Sequence, residues 1–87
     1  MYMHLGENTV VRLDEIIGIF DMDNTTVSKS TREFLKFSEK RREVINVSYE
    51  LPKSFIVCSN KKKENRVYIS QISSTTLNKR SGFIDRL

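Results

Sequence analysis

Short hydrophobic runs bounded by turn-forming residues dominate the start of the chain and predict strands rather than long helices. Residues 2–5 and 9–13 lie on either side of Gly6-Glu7-Asn8, which predicts a first hairpin. Residues 16–20 are β-branched or aromatic without polar alternation, a pattern typical of a strand buried on both faces. We therefore expect three short strands in this part of the chain.

The second half of the chain repeats this pattern. Residues 44–49 alternate between apolar and polar side chains and predict a fourth strand. Residues 55–58 and 67–69 are apolar and flank the polar connection 60–65, which predicts a second hairpin. Pro52 precedes this hairpin, at a position where its missing N–H costs least.

Two segments predict helices. In the first, Ser30 and Glu33 have the spacing of a capping box, so the helix should begin near Ser30 and run to about Arg42. Its apolar face is formed by Phe34, Leu35 and Phe37. In the second, Ser73 or Ser74 caps a helix that Gly82 ends near the C-terminus.

These elements predict an α+β fold: a small, mostly antiparallel sheet of about six short strands with a central helix and a C-terminal helix. We expect a single domain over residues 1–87, because a chain of this length forms one domain. A domain of this size has a thin core, which favours completion by self-association.

Charge is distributed unevenly along the chain. Residues 1–25 contain one base and five acids, a net charge of −4, and residues 26–87 contain fourteen bases and six acids, a net charge of +8; together they give +4. A basic surface attracts polyanions, above all the nucleic-acid backbone. Because the tyrosines are not interleaved with bases, as they are in RNA and single-strand platforms, double-stranded DNA is the expected polyanion. The bases predicted to contact its phosphates are Lys53, Lys61, Lys62, Lys63, Arg66, Lys79 and Arg80.

The sequence contains no recognisable set of metal ligands or cofactor residues. Cys58 is the only cysteine, which excludes an internal disulfide and fits a reducing compartment. His4, the only histidine, has no partner at ligand spacing. The apolar runs are too short to span a bilayer, and the N-terminus does not resemble a signal peptide. We expect a cytoplasmic protein with no cofactor, metal, membrane contact or small-molecule ligand.

One string resembles an enzyme signature. Residues 19–25 place Asp-x-Asp-x-Thr after an apolar strand, similar to the first motif of the haloacid-dehalogenase phosphatases. In that chemistry Asp21 would attack phosphorus, and Asp23 would act as acid and base beside Mg²⁺. The family also needs a later acidic pair in a doubly wound domain, and this chain lacks both signals. We interpret the aspartates as the end of a strand and the start of a turn, and the protein as not an enzyme.

Five blocks of sequence, in order over nearly the whole length, carry a family resemblance. They are Tyr2-Met3-His4-Leu5-Gly6, Asp14-Glu15-Ile16-Ile17-Gly18-Ile19-Phe20-Asp21, Glu33-Phe34-Leu35-Lys36, Pro52-Lys53-Ser54-Phe55-Ile56-Val57 and Ser73-Ser74-Thr75-Thr76-Leu77-Asn78-Lys79-Arg80. The chain resembles the RemA/RemB family of bacterial extracellular-matrix regulatory proteins, most of all its RemB branch. The resemblance implies a small transcription factor that activates biofilm-matrix genes, and the RemA branch implies DNA binding by a ring-forming homo-oligomer.

The chain departs from the RemA branch at one point. That branch presents arginines in the turn before the strand that matches residues 55–58, whereas here the turn 49–53 contains only Lys53 as a base. The expected DNA contact therefore shifts to the lysines at 61–63 and to Arg66.

Three other interpretations stay open at this point. The lysines at 61–63 could serve only to solvate a loop and protect a sheet edge. The acidic N-terminal third could dock onto a basic protein partner, in a matrix-regulation scaffold that does not touch DNA. A more remote alternative is the Asp-x-Asp phosphotransferase.

Overall fold

The described part of the chain contains six strands, three helices and a 3₁₀ turn over Leu13–Glu15. The computed structural model describes residues 1–25 and 28–85, with the backbone only for residues 24, 25 and 81–85. The strands are β1 (Tyr2–Gly6), β2 (Thr9–Arg12), β3 (Ile16–Asp21), β4 (Val44–Asn46), β5 (Ser54–Ser59) and β6 (Asn65–Ser70). The helices are α1 (Met22–Thr25), α2 (Lys29–Lys40) and α3 (Ser74–Asp85).

The strands form two sheets. β1 and β2 pair antiparallel as a separate hairpin, and the larger sheet has the order β3-β5-β6-β4. In the larger sheet β3–β5 and β5–β6 are antiparallel, whereas β4–β6 is parallel. The predicted α+β class, the antiparallel majority and both hairpins are confirmed. The six strands do not share one sheet, because the β1–β2 hairpin packs its buried Met3 and Leu5 onto a face of the larger sheet.

Alternation along β5 determines where the core lies. Ile56 and Cys58 point to one face of the larger sheet, and Phe55 and Val57 point to the other. The first face is covered by β1, β2 and α3. Its buried side chains form one hydrophobic cluster of Met3, Leu5, Val11, Val47, Ile56, Cys58 and Leu77. The second face lies against α2, which leaves part of it uncovered.

Buried serines connect the two layers. The Ser70 hydroxyl donates a hydrogen bond to the Leu5 carbonyl at 2.6 Å and accepts one from the Ile72 N–H at 3.0 Å. The Ser54 hydroxyl donates to the Ile72 carbonyl at 2.7 Å. Both serines are fully buried, and their hydroxyls are satisfied by backbone groups at the point where β6 leads into α3.

β3 is not buried on both faces, and that prediction is wrong. It is an edge strand that pairs only with β5, with an irregularity in register between Ile16 and Gly18. Ile17, which lies at this irregularity, is 67% exposed. An unbroken apolar run fits a buried strand, but here it also supplies an open apolar surface beside α2.

The capping residue of α2 lies two residues before the predicted one. The helix begins at Lys29, and the Ser28 hydroxyl accepts a hydrogen bond from the Thr31 N–H at 3.4 Å. The predicted cap at Ser30 is therefore wrong. Both serines are suitable capping residues, and the extended backbone at Ser28 places its hydroxyl over the first free N–H groups.

α3 begins as predicted and ends later. The Ser73 hydroxyl accepts a hydrogen bond from the Thr76 N–H at 3.2 Å, which confirms Ser73 as one of the two predicted caps. Gly82 does not end the helix, which continues to Asp85, since an isolated glycine is tolerated within a helix at modest cost. In the part of the chain that the structure describes, no helix is long and apolar enough to cross a membrane.

β4 is shorter than the alternation predicts. It ends at Asn46, although the Val47 N–H still donates to the Ile69 carbonyl at 2.9 Å. The chain then crosses the end of β6 to reach β5, so residues 48–53 form a loop rather than a strand. Tyr49, predicted within the strand, lies in this loop and is fully exposed.

The buried Ser70 hydroxyl provides a test of the packing between layers. We expect Ser70→Ala to lower the free energy of unfolding by about 1–3 kcal/mol, because it leaves a buried carbonyl and N–H without their partner. Chemical denaturation of the variant measures this value. The control Ser30→Ala, at an exposed helix position, should change it by less than about 0.5 kcal/mol. Equal effects of the two substitutions would contradict the assigned role of Ser70.

Candidate nucleic-acid interface

The loop at the end of the β5–β6 hairpin is held by one asparagine side chain. Asn60 Oδ1 accepts hydrogen bonds from the N–H groups of Lys62 (2.9 Å) and Glu64 (3.0 Å). The Lys63 N–H donates to the Asn60 carbonyl at 2.9 Å. These bonds fix the backbone of residues 60–64, so the lysines of this loop project from an ordered base.

The three lysines of this loop, Lys61, Lys62 and Lys63, are all exposed. Lys63 has a φ of 61°, a left-handed conformation in which hairpin loops commonly have glycine. The neighbouring Glu64 accepts a hydrogen bond from Asn60 Nδ2 at 2.9 Å. No loop lysine forms an ion pair with a carboxylate of the described residues. The tip therefore presents three uncompensated cations.

Acidic side chains border one side of the tip. A cleft of about 490 Å³ separates Lys61 and Lys62 from Asp14 and Glu15. Arg12 bridges the two acids, with its Nη2 2.8 Å from Asp14 Oδ2 and its Nε 3.8 Å from Glu15 Oε2. The hydrogen bond lowers the pKa of Asp14 and raises the pKa of Arg12. This cleft therefore contains both signs of charge.

Arg66 and Lys53 lie at different ends of the hairpin. Arg66 is exposed and faces Cys58 in the strand register, next to the tip. Lys53 precedes β5, where its N–H donates to the Ser70 carbonyl at 2.9 Å. Asn60 lies seven residues after Lys53, which at a rise of about 3.3 Å per residue is roughly 23 Å along the strand. The structure thus brings Arg66 to the lysines at 61–63 and keeps Lys53 apart.

Lys79 and Arg80 occupy a third place, on α3. The Arg80 Nη1 donates a hydrogen bond to the His4 carbonyl at 2.7 Å, which anchors α3 on β1. Lys79 is exposed. Of the seven predicted bases, only four come together within one chain, and we call them the tip cluster: Lys61, Lys62, Lys63 and Arg66. All seven bases could contact one DNA backbone only in an assembly of several copies, and that contact stays a prediction.

Sequence reasoning missed a fourth group of bases as candidate residues. Lys29, Arg32, Lys36 and Lys40 are all exposed and lie along one face of α2. Their spacing of three or four residues is the signal that would have identified them, because such positions are neighbours on a helix surface. By pattern alone, these side chains indicate no more than the polar face of an amphipathic helix.

The phosphatase-like string forms the end of β3 and the short helix α1, so the predicted end of a strand is confirmed but the residues after it form a helix rather than a turn. Asp21 is the last residue of β3, and its Oδ1 accepts a hydrogen bond from the Asp23 N–H at 2.8 Å. Its Oδ2 accepts one from the Ser74 hydroxyl at 3.4 Å, next to the start of α3. Across residues 1–25 and 28–85, no three His, Cys, Asp or Glu side chains are grouped closely enough to hold a metal ion.

Cys58 lies in the hydrophobic core on β5 and is 5% exposed. Burial away from water disfavours the thiolate and raises the pKa of Cys58 to about 11. A thiol in this state is a poor nucleophile and a poor metal ligand. The side chain therefore acts as a small apolar group in the core.

The described residues form a small α+β domain whose hairpin tip exposes three lysines that form no ion pair with a described carboxylate. The chain belongs to the RemA-like family, described as extracellular matrix regulatory protein A-like, whose model matches residues 2–81. It is also similar to extracellular matrix regulatory protein B of Bacillus subtilis (strain 168), with 37% identity over 84 residues. That alignment covers 97% of this chain and 94% of the relative. The resemblance seen in the sequence is confirmed, and the chain is a member of a family of extracellular matrix regulatory proteins.

The buried thiol gives a prediction on reactivity. At about pH 8 a pKa near 11 leaves about a hundredfold less thiolate than an ordinary cysteine has. We expect iodoacetamide to alkylate Cys58 at least about a hundredfold more slowly in the native protein than in guanidinium-unfolded protein. Mass spectrometry of quenched samples measures both rates. Native alkylation as fast as that of the unfolded chain would contradict the buried position.

Proposed function

We propose that this protein is a cytoplasmic, homo-oligomeric regulator of biofilm extracellular-matrix genes that binds double-stranded DNA through its phosphates. The observation that carries the proposal is the tip cluster. Four exposed cations lie together on an ordered hairpin, and none forms an ion pair with a described carboxylate. Neutralisation of phosphates by such groups, with release of counterions, supplies most of the affinity of non-specific DNA binding.

The backbone at Lys63 supports a role for the side chain. A lysine in a left-handed conformation costs more than glycine would at the same place. A loop that served only to connect two strands has no need of a cation there. Lysine is a compact charge on a flexible stem, and it meets phosphates without strict geometry.

Duplex DNA fits this surface better than single strands. Platforms for single strands stack bases on exposed aromatic rings between cations. Tyr68, the tyrosine nearest the tip cluster in sequence, is partly buried, and burial raises its pKa. Tyr49 is exposed, but it lies in the loop between β4 and β5. Tyr2 is 66% exposed and lines a cleft with Arg66, but the cleft that Lys61 and Lys62 line contains no aromatic ring on which a base could stack.

Exposed apolar side chains support self-association. A groove of about 330 Å³ runs between α2 and the uncovered part of the larger sheet, where Ile17, Phe20 and Phe34 are exposed. Tyr49 and Leu51 project from the loop after β4, and Leu51 is 80% exposed. Grouped apolar surface of this kind marks contacts with other molecules, and another copy of the chain is the partner that we propose.

An oligomer would also explain how a small basic surface on each copy is enough to bind DNA. Each copy has a small tip cluster, and several clusters bound to one duplex add their contacts through a high effective concentration. Lys53, Lys79 and the remaining bases of other copies would then contribute along the same DNA.

Removal of the tip charges tests the DNA-binding proposal. We expect replacement of Lys61, Lys62 and Lys63 by alanine to weaken binding to all duplexes. The slope of log affinity against log salt should fall by about 0.9 for each phosphate that is no longer neutralised. Fluorescence anisotropy with a mixed-sequence duplex across a salt series measures both. Replacement of the same three lysines by arginine is the matched control, and it should retain the slope because the charge is kept.

Two outcomes would overturn this proposal. An unchanged slope in the triple alanine variant would show that the tip cluster does not meet phosphates. No binding of the wild-type protein at low salt, together with a co-purifying protein partner, would favour the protein-interaction alternative.

A further inference from the structure

The outer face of α2 contains four cations, which we call the α2 stripe: Lys29, Arg32, Lys36 and Lys40; one acid, Glu33, lies on the same face at helical spacing from Lys29 and Lys36. All four are exposed, whereas Ser38, on the opposite side of the helix, is 2% exposed. From the first to the last base, at about 1.5 Å per residue, the stripe is about 16 Å long.

The four cations of the α2 stripe differ from those other bases of the described protein that form ion pairs. Arg12 pairs with Asp14 and Glu15, and Arg41 pairs with Glu43 at 3.3 Å. None of the four stripe residues forms an ion pair with any described carboxylate, although Glu33 and Glu39 lie on the same helix.

Stabilisation of the helix does not account for the stripe. Lys29 is the first residue of α2, and the first turn contains no acidic side chain. Cations near a helix N-terminus oppose the helix dipole, so Lys29 and Arg32 are unfavourable for the helix itself. Only Lys40, in the last turn, has the favourable sign.

We propose that the α2 stripe is a second phosphate-contacting surface, which binds one strand of the same DNA duplexes that the tip cluster binds. A duplex carries one phosphate charge about every 1.7 Å of its axis, counted over both strands, so a line of four cations about 16 Å long has several phosphates within reach. The inference rests on the proposed DNA-binding function and adds a second surface to it.

The arrangement of aromatic side chains favours a nucleic-acid backbone over a lipid surface. A helix that binds a bilayer needs apolar side chains free to insert beside its cations. Here Phe34 lines the groove against the sheet, and the Arg41 guanidinium lies 5.4 Å from the ring centroid of Phe37, so both partly exposed rings lie beside other groups rather than along the line of the four cations. The stripe itself contains no apolar residue.

Neutralisation of two central stripe residues tests the inference. We expect the double variant Arg32→Gln and Lys36→Gln to reduce the log–log salt slope by about 1.8, which is about 0.9 for each of two phosphates left without a cation. Glutamine is a good helix former, so the fold should persist, as circular dichroism would verify. The matched control exchanges the two residues, Arg32→Lys with Lys36→Arg, and should retain the wild-type slope. Lys36→Gln with Lys40→Gln is a second pair with the same expected reduction.

The outcomes separate this inference from the proposed function. If the wild-type protein and the arginine control of the tip bind with a steep slope, and both glutamine pairs keep that slope, the α2 stripe does not contact DNA and the inference fails alone. If the wild-type protein shows no salt-dependent binding, the proposed function and the inference fail together. If the glutamine pairs keep the DNA slope but no longer bind phosphatidylserine vesicles that the wild-type protein binds, the stripe contacts lipid and the inference is wrong.

Discussion

Antiparallel pairing of β5 with β6 organises the described fold. The register runs without interruption from Ser54 opposite Ser70 to Ser59 opposite Asn65. β5 also pairs with β3, and β6 with β4, so the larger sheet is built around this hairpin. At one end of the hairpin, buried serine hydroxyls bond to β1 and to Ile72, which precedes α3; the other end carries the tip cluster. A disturbance of this pairing would therefore alter the core and the proposed DNA contact together.

The distribution of charge gives different parts of the surface different roles. Near the N-terminus Arg12 is already neutralised by Asp14 and Glu15, and Arg80 is committed to a backbone carbonyl. The tip cluster and the α2 stripe form no ion pairs with the described carboxylates. The cations without ion pairs, rather than the net charge of +4, are the reason that we propose a phosphate backbone as the ligand.

The sequence was sufficient for features that depend on local pattern. Polar residues between two apolar runs identified the β5–β6 hairpin, and the family-typical blocks identified the family. The exposure of Ile17 could not be predicted, because an apolar run fits a central strand and an edge strand equally well until the order of strands is known. The prediction that Tyr49 lies in β4 was wrong, because the end of this strand depends on the path that the chain takes across β6. The separation of Lys53 from the tip cluster, and the bond from Arg80 to His4, arise from tertiary packing that residue types do not encode. The α2 stripe was visible in the sequence, but its lack of acidic partners required coordinates.

Light scattering on the purified chain, with and without duplex DNA, is the sharpest test of an oligomer that binds DNA. We expect the protein alone to have a mass several times the 10.2 kDa of one chain, because in the proposed oligomer other copies would cover the exposed apolar groove and loop. With duplex present, the mass should rise by more than that of the DNA alone, and high salt should reverse the rise. A mass of 10.2 kDa under both conditions would contradict both the assembly and the DNA binding proposed for this protein.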